Sequence, residues 1–135
     1  MSGERYPVLW IGQVSVVTLP PEIDVTNADA IREELLAVLN QGAAMLVADM
    51  SKTVFCDSSG VSALVRVFRH ATTSGTAMRL VVSTSAVQRV LSITGVDRLV
   101  DVYPSVAASL AGPSGQANPA WPNGATAKAD TDGGA

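Results

Sequence analysis

A short polar run, Asp57-Ser58-Ser59-Gly60, lies between an irregular approach and an apolar pattern of helical spacing. Asp57 occupies the N-cap position, where its carboxylate accepts hydrogen bonds from the backbone N–H of Ser59 or Gly60. Ser58 is then the first helical residue, with its hydroxyl pointing outward at the end of the helix that favours an anion. The pattern predicts a serine that can carry a phosphate without disturbing its helix.

Phosphorylation of Ser58 would add a charge of roughly −1.5 to −2 beside Asp57. Burying that charge against a partner opposes docking, and a loss of about 2.7 kcal/mol weakens binding about a hundredfold. The helix dipole stabilises a phosphate at an exposed site by only ~0.3–1 kcal/mol. A phosphate here is therefore predicted to act on an interface, not on the fold. The competing interpretation is that Asp-Ser-Ser-Gly is simply a good helix start.

The other reactive side chains do not form a catalytic or metal site. If one helix carries Ser58 and His70, the two are ~18 Å apart along its axis, so His70 cannot activate the serine. Cys56 is the only cysteine, which excludes an intramolecular disulfide and a thiolate cluster. The sequence also lacks a Gly-x-Ser-x-Gly elbow, a phosphate-binding loop and a histidine-carboxylate cluster. We expect no enzyme, no cofactor and no metal.

The net charge of −3 gives no electrostatic basis for gripping nucleic acid. Arg66 and Arg69 could contact an acidic partner, although a solvated helix face explains them equally well. No apolar run approaches the ~18 residues that span a bilayer, and the N-terminus does not resemble a signal peptide. We expect a cytoplasmic protein without direct nucleic-acid binding or membrane insertion, and the sequence leaves its oligomeric state open.

Alternating strand and helix patterns predict an α/β fold. Two apolar runs flank Gly12-Gln13, a pair suited to a type II′ turn, and indicate an N-terminal hairpin. A nearly continuous apolar run from Ala43 to Met50 predicts a central strand. With the hairpin making the sheet mixed, we expect four to five strands and about four helices. The predicted strands are Tyr6 to Ile11, Val14 to Leu19, Ala43 to Met50, Met78 to Ser83 and Leu99 to Val102.

Helix starts are predicted from capping boxes, Thr26 with Asp29 and Ser85 with Gln88, while Glu22 to Val25 is assigned to a loop. A final helix is expected after Pro104. The helix from Ser58 to about Thr73 has a predicted apolar stripe of Val61, Leu64, Val65, Phe68 and Thr72.

Two regions are expected along the chain, a domain over residues 1–111 and a C-terminal tail over residues 112–135. The tail is rich in Gly, Pro, Ser, Asn, Thr and Ala, and cannot bury enough surface to offset the entropy of ordering it. We therefore predict that it is disordered.

The run Phe55-x-Asp57-Ser58-Ser59-Gly60, with Glu22-Ile23-Asp24 and Thr26-Asn27-Ala28 upstream, resembles the anti-sigma factor antagonist (STAS) family over about Val8 to Leu110. The resemblance implies a STAS-like fold. It also implies that Ser58 is phosphorylated by a serine kinase that is itself the anti-sigma factor, and that the unphosphorylated chain binds this factor and frees the sigma factor for transcription. By motif position, Asp57 and Ser59 shape the helix start, and Asp24 lies in the loop facing the same partner.

Two positions depart from the family pattern. Pro21 stands where relatives usually have Gly before Glu-Ile/Leu-Asp, and proline cannot adopt positive φ, so the loop is expected to follow a different path. Cys56 stands where relatives often carry Met, Ile or Leu. A buried hydrophobic role is favoured for it over redox control.

Three functions follow from these patterns. The first is an anti-sigma factor antagonist, active in regulation of transcription and in stress response, that is switched off by phosphorylation at Ser58. The second is a structural STAS subunit of a larger signalling or lipid-transport assembly, in which Ser58 need not be modified. The third is a redox or small-ligand sensor that uses Cys56 or the cleft near Asp24.

Overall fold

The chain folds around a mixed sheet that begins with the predicted hairpin. The computed structural model describes residues 6–112. Gly12 opens the two-residue turn with φ +61°, and Ile11 and Val14 are paired across it. No other residue type in the described part has positive φ, so the turn geometry matches the type II′ prediction. The strands are β1 (Val8–Ile11), β2 (Val14–Thr18), β3 (Glu22–Ile23), β4 (Met45–Met50), β5 (Phe55–Cys56), β6 (Ala77–Val82) and β7 (Asp101–Tyr103).

The main sheet has five strands in the order β1-β2-β4-β6-β7. Only β1 pairs antiparallel with its neighbour, and the other three pairings are parallel. The predicted central strand is confirmed because β4 lies in the middle and every residue from Leu46 to Met50 is buried. The helices are α1 (Ala28–Asn40), α2 (Ser58–Thr73), α3 (Ser85–Thr94), α4 (Val96–Leu99) and α5 (Val106–Ala111).

The two faces of the sheet are covered unequally. Four helices, α1 to α4, supply side chains to the large core on one face, together with alternate residues of β2, β4 and β6. On the opposite face Val16, Val47 and Val81 form a small cluster against which Val106 of α5 packs. The Asp57-Ser58-Ser59-Gly60 run at the start of α2 therefore lies on the face of the sheet that carries most of the core.

A separate two-stranded sheet was not predicted. Glu22 and Ile23, expected in a loop, pair in parallel with Phe55 and Cys56. This pairing joins the segment before α1 to the segment before α2.

Two predicted helix caps are wrong by one residue. Thr26 does not cap α1; the N-cap is Asn27, and its side chain bonds backward into the preceding loop instead of to the helix. At α3 the cap is Thr84, not Ser85, and its hydroxyl accepts from the Val87 N–H at 3.3 Å. In both cases the adjacent polar residue, also of a type common at N-caps, takes the position.

The predicted helix from Ser58 to about Thr73 is confirmed as α2, but its buried face is rotated from the predicted stripe. Val65 and Phe68 are half-buried and Thr72 is exposed, because small residues face the sheet. The buried residues of α2 are Gly60, Val61, Ala63, Leu64, Val67 and Ala71.

The remaining differences lie near the C-terminus. The last strand starts at Asp101, since Val96–Leu99 forms the short helix α4. The final helix after Pro104 is confirmed as α5. Of the predicted tail over residues 112–135, all but Gly112 lie outside the described residues. Within residues 6–112, no helix has the length and apolar character needed to cross a bilayer.

Candidate functional site

Ser58 is the first residue of α2 and is exposed. The preceding residue, Asp57, is the N-cap, and its Oδ1 accepts from the N–H of Ser59 at 2.9 Å and of Gly60 at 3.2 Å. The carboxylate therefore satisfies two of the free N–H groups of the first turn without help from the Ser58 hydroxyl. In the described part of the chain that hydroxyl makes no hydrogen bond with protein, so it is available to an external group.

Gly60 holds the start of α2 against the two-stranded sheet. A Cβ atom at this position would lie 2.6 Å from Ile23 Cγ2 and 2.7 Å from Cys56 Sγ, both closer than carbon and sulfur atoms pack. The fourth residue of the motif therefore sets how closely the helix approaches β3 and β5. The sequence pattern indicates no role for Gly60 beyond the helix start, since Ile23 and Cys56 become its neighbours only in the folded chain.

Asp24 lies in the loop between β3 and α1, where its side chain bonds locally. Its Oδ1 accepts from both the backbone N–H and the hydroxyl of Thr26, and its own N–H donates to Asn27 Oδ1 at 3.0 Å. These bonds to Thr26, first from the hydroxyl and then from the N–H, lower the pKa of Asp24 below its ordinary value. Asp24 thus forms an Asx-turn within its own loop, and its role in partner binding stays a prediction.

The β3–β5 pairing brings the Asp24 loop to the start of α2. Asp57 N–H donates to Ile23 O at 3.1 Å, directly linking the two segments. Two residues before Ile23, the Pro21 carbonyl accepts from Val54 N–H at 2.8 Å. This contact uses the carbonyl, which proline retains, so the residue that departs from the family pattern is compatible with the pairing.

Apolar side chains stand exposed on the same surface. Val25 is 74% exposed, Val54 55% and Phe55 50%. Val25 lines a cleft that also includes Ser59, and Phe55 lies three residues before Ser58. Aliphatic and aromatic groups exposed around a polar centre are a composition typical of protein interfaces.

Cys56 lies beneath this surface and is 3% exposed. Burial, with a smaller contribution from the Asp57 carboxylate, raises the pKa of the thiol to about 11. A thiol with this pKa is almost wholly protonated near neutral pH and is a poor nucleophile. The geometry therefore favours the buried hydrophobic role over redox control.

The structure separates the two residues that an enzyme interpretation would need together. Ser58 opens α2 and His70 lies in its last turn, so one helix carries both, as the sequence argument assumed. Within residues 6–112 there is no group of three or more His, Cys, Asp or Glu side chains that could hold a metal ion. Arg66 and Arg69 line clefts between α1 and α2, in which Ser59, not Ser58, is the nearest motif residue.

Comparisons with known proteins agree with this geometry. The model of the STAS domain family matches residues 8–109. The anti-sigma-B factor antagonist of Bacillus subtilis is 28% identical over 86 residues, covering 64% of this chain and 78% of the relative. The crystal structure of an anti-sigma factor antagonist from Mycobacterium paratuberculosis is 28% identical with a TM-score of 0.73, over 78% of this chain and 90% of that one.

The fold also matches SpoIIAA, an anti-sigma factor antagonist, in its unphosphorylated form, with 18% identity and a TM-score of 0.67 over 78% of this chain and 93% of that one. The predicted α/β fold is thus confirmed. Because the matched residues make up most of the sequence, the chain belongs to the STAS domain family, among relatives named anti-sigma factor antagonists.

Proposed function

We propose that this protein is an anti-sigma factor antagonist controlled by phosphorylation of Ser58. The unmodified chain binds an anti-sigma factor of the serine kinase type in the cytoplasm, and the sigma factor is thereby released. Transfer of a phosphate to the Ser58 hydroxyl ends this binding. The chain itself acts as a binding protein and not as an enzyme, and needs no cofactor.

The observation that carries the proposal is the exposed Ser58 hydroxyl at the start of a helix whose cap is already complete. A kinase must reach this oxygen, and exposure makes it reachable. Because Asp57 caps the helix, modification of Ser58 removes no hydrogen bond from the fold. A phosphate at the first turn is also favoured by the helix dipole, so α2 tolerates it.

The same phosphate opposes docking of a partner. It adds a charge of roughly −1.5 to −2 next to the Asp57 carboxylate, three and four residues after the exposed apolar side chains Phe55 and Val54. An interface that buries these side chains would have to desolvate the phosphate as well. We expect Asp24, Asp57, Ser58 and Ser59 to contact the partner. Of these four positions, an added charge should weaken binding most at Ser58.

The structural-subunit alternative makes the opposite prediction, because it assigns no role to the charge at Ser58. A sensor based on Cys56 is disfavoured by the high pKa and burial of the thiol. One experiment separates the switch from the structural subunit.

The experiment compares Ser58→Ala and Ser58→Glu as baits in the native cytosol, with mass spectrometry of captured proteins and of phosphate on the wild-type chain. We expect Ser58→Ala to retain a kinase-like anti-sigma factor and Ser58→Glu to lose it. Ser85→Glu is the matched control, since Ser85 is also an exposed first residue of a helix with a separate N-cap. Equal capture by both Ser58 variants would refute the switch and favour the structural subunit.

A further inference from the structure

A groove runs along the packed pair α1 and α2, away from Ser58. It consists of two adjoining clefts of about 370 and 400 Å³ that share Arg32 and Arg66. We call this feature the α1–α2 groove. Its lining runs from Ser59 in the first turn of α2 to Thr73 in the last, a length of ~21 Å along the helix. That length accommodates about six residues of extended chain.

The groove concentrates positive charge in a protein that is acidic overall. Three arginines line it, Arg32, Arg66 and Arg69, against one carboxylate, that of Asp29. Arg32 is paired with Asp29 at 2.9 Å. Neither Arg66 nor Arg69 has a carboxylate within 4.0 Å in the part of the chain that the structure describes, so both guanidinium groups are available to an external anion.

The surface around Ser58 has the opposite charge. Asp57 caps α2 there, and Asp24 lies in the adjoining loop. The cleft nearest Ser59 has small side chains, Ala28 and Ala63, which allow another chain to approach closely. The combined surface is therefore acidic at the Ser58 end and basic along the α1–α2 groove, which gives a docked partner a defined direction.

We propose that the α1–α2 groove binds an acidic segment of the protein that docks at Ser58. This inference rests on the proposed function, and adds the chemistry of the partner to it. A protein segment fits better than a nucleic acid, because Asp24 and Asp57 at one end would repel a uniformly anionic polymer. A polypeptide can place carboxylates opposite Arg66 and Arg69 and neutral or basic residues opposite the acidic end.

The first test uses hexaglutamate as the probe and the full chain labelled with ¹⁵N. We expect saturable chemical-shift changes confined to α1 and α2, with binding that weakens as salt is raised. The double variant Arg66→Glu/Arg69→Glu should weaken binding about tenfold or more. The control Arg89→Glu/Arg98→Glu changes the net charge equally at exposed positions on α3 and α4, and should change binding less than about twofold. Denaturation curves show whether each variant is folded.

Several results would overturn the inference. These are no saturable binding of hexaglutamate, equal effects of the two double variants, or shifts that lie outside the groove. Tighter binding of a twelve-residue thymidine oligonucleotide or of phosphatidylglycerol vesicles than of hexaglutamate would also overturn it, and would assign the groove to nucleic acid or to a membrane.

A second test separates this inference from the proposed function. In the cytosolic capture experiment, Arg66→Glu/Arg69→Glu is introduced into the Ser58→Ala bait. Loss of the anti-sigma factor supports the groove, whereas full capture refutes the groove and leaves the Ser58 switch standing. The converse result is that the chain binds hexaglutamate while Ser58→Ala and Ser58→Glu capture the same proteins. That pair of results refutes the switch and leaves the groove standing.

Discussion

Ser58 and Arg79 lie on opposite faces of the sheet. A charge at Ser58 would be exposed to solvent, whereas the charge of Arg79 is buried. Ser58 is exposed at the start of α2, where its hydroxyl makes no bond that the fold needs. Arg79, on β6, is 2% exposed. Its Nη1 donates to the Ser109 carbonyl and, at 2.8 Å, to the Gly112 carbonyl, and its guanidinium carbon lies 5.2 Å from the centre of the Tyr103 ring.

The difference separates charge used for recognition from charge used for structure. A buried guanidinium at the C-terminal end of α5 satisfies carbonyl groups that the helix leaves free, and it complements the helix dipole. Removing it should affect stability. A charge added at Ser58 remains in water until a partner docks, so it should affect binding. Single substitutions test this separation, and the largest change in stability is expected at Arg79.

Arg79→Met should lower the free energy of unfolding by about 2–4 kcal/mol, because the buried carbonyl of Ser109 and the partly buried carbonyl of Gly112 lose their donor. Urea denaturation followed by circular dichroism measures this. Arg89→Met is the control, since Arg89 is exposed, and should lie within about 0.5 kcal/mol of the wild type. A loss below about 1 kcal/mol in Arg79→Met would show that the buried charge is not structural.

Gly60→Ala should destabilise the protein by about 1–3 kcal/mol, because the added Cβ overlaps Ile23 and Cys56. The midpoint of urea unfolding reports the change. Ser62→Ala, at an exposed position of the same helix, provides the control and should be close to neutral. Wild-type stability in Gly60→Ala would mean that α2 does not approach the β3–β5 sheet as closely as described.

Asp57→Ala should lower the free energy of unfolding by about 1 kcal/mol, since two N–H groups lose their acceptor. Asp57→Asn keeps an acceptor oxygen at the cap and should recover most of this loss. Equal stability of Asp57→Ala and wild type would show that the cap contributes nothing, and the argument that Ser58 is free of a capping role would fail.

The smallest expected effect concerns the titration of Asp24. The Thr26 hydroxyl, and then its N–H, lower the pKa of Asp24 below 3.8, so their stabilisation is present above the unfolded-state pKa and is lost as pH falls through the folded-state pKa. Thr26→Val should raise the Asp24 pKa toward 3.8, and Thr26→Ser should leave it low. Carbon NMR of the Asp24 carboxyl group measures both; an unchanged pKa in Thr26→Val would contradict the bonding described.

Features fixed by local sequence were predictable. The Gly12 turn, the central strand β4 and the Asp57 cap each depend on a few adjacent residues, and all three match the structure. The predicted caps at Thr26 and Ser85 were wrong because adjacent polar residues compete for the N-cap position. Only the path of the chain entering the helix decides between them.

Features that join distant segments were not predictable from local pattern. The β3–β5 sheet pairs residues 33 positions apart, and it alone explains why Gly60 must be small. Arg79 has the sequence context of an ordinary strand residue, since its partners Ser109 and Gly112 lie 30 and 33 positions further along the chain. The α1–α2 groove likewise appears only when Arg32 on one helix is placed beside Arg66 on the other.

The separation between binding and stability is tested most directly with the chain carrying phosphoserine at position 58. The measurement is its affinity for the anti-sigma factor captured by Ser58→Ala, determined by calorimetry beside the free energy of unfolding of the same sample. We expect binding to weaken about a hundredfold while the free energy of unfolding changes by less than about 1 kcal/mol. Unchanged affinity, or weaker binding that accompanies a loss of several kcal/mol in stability, would contradict it.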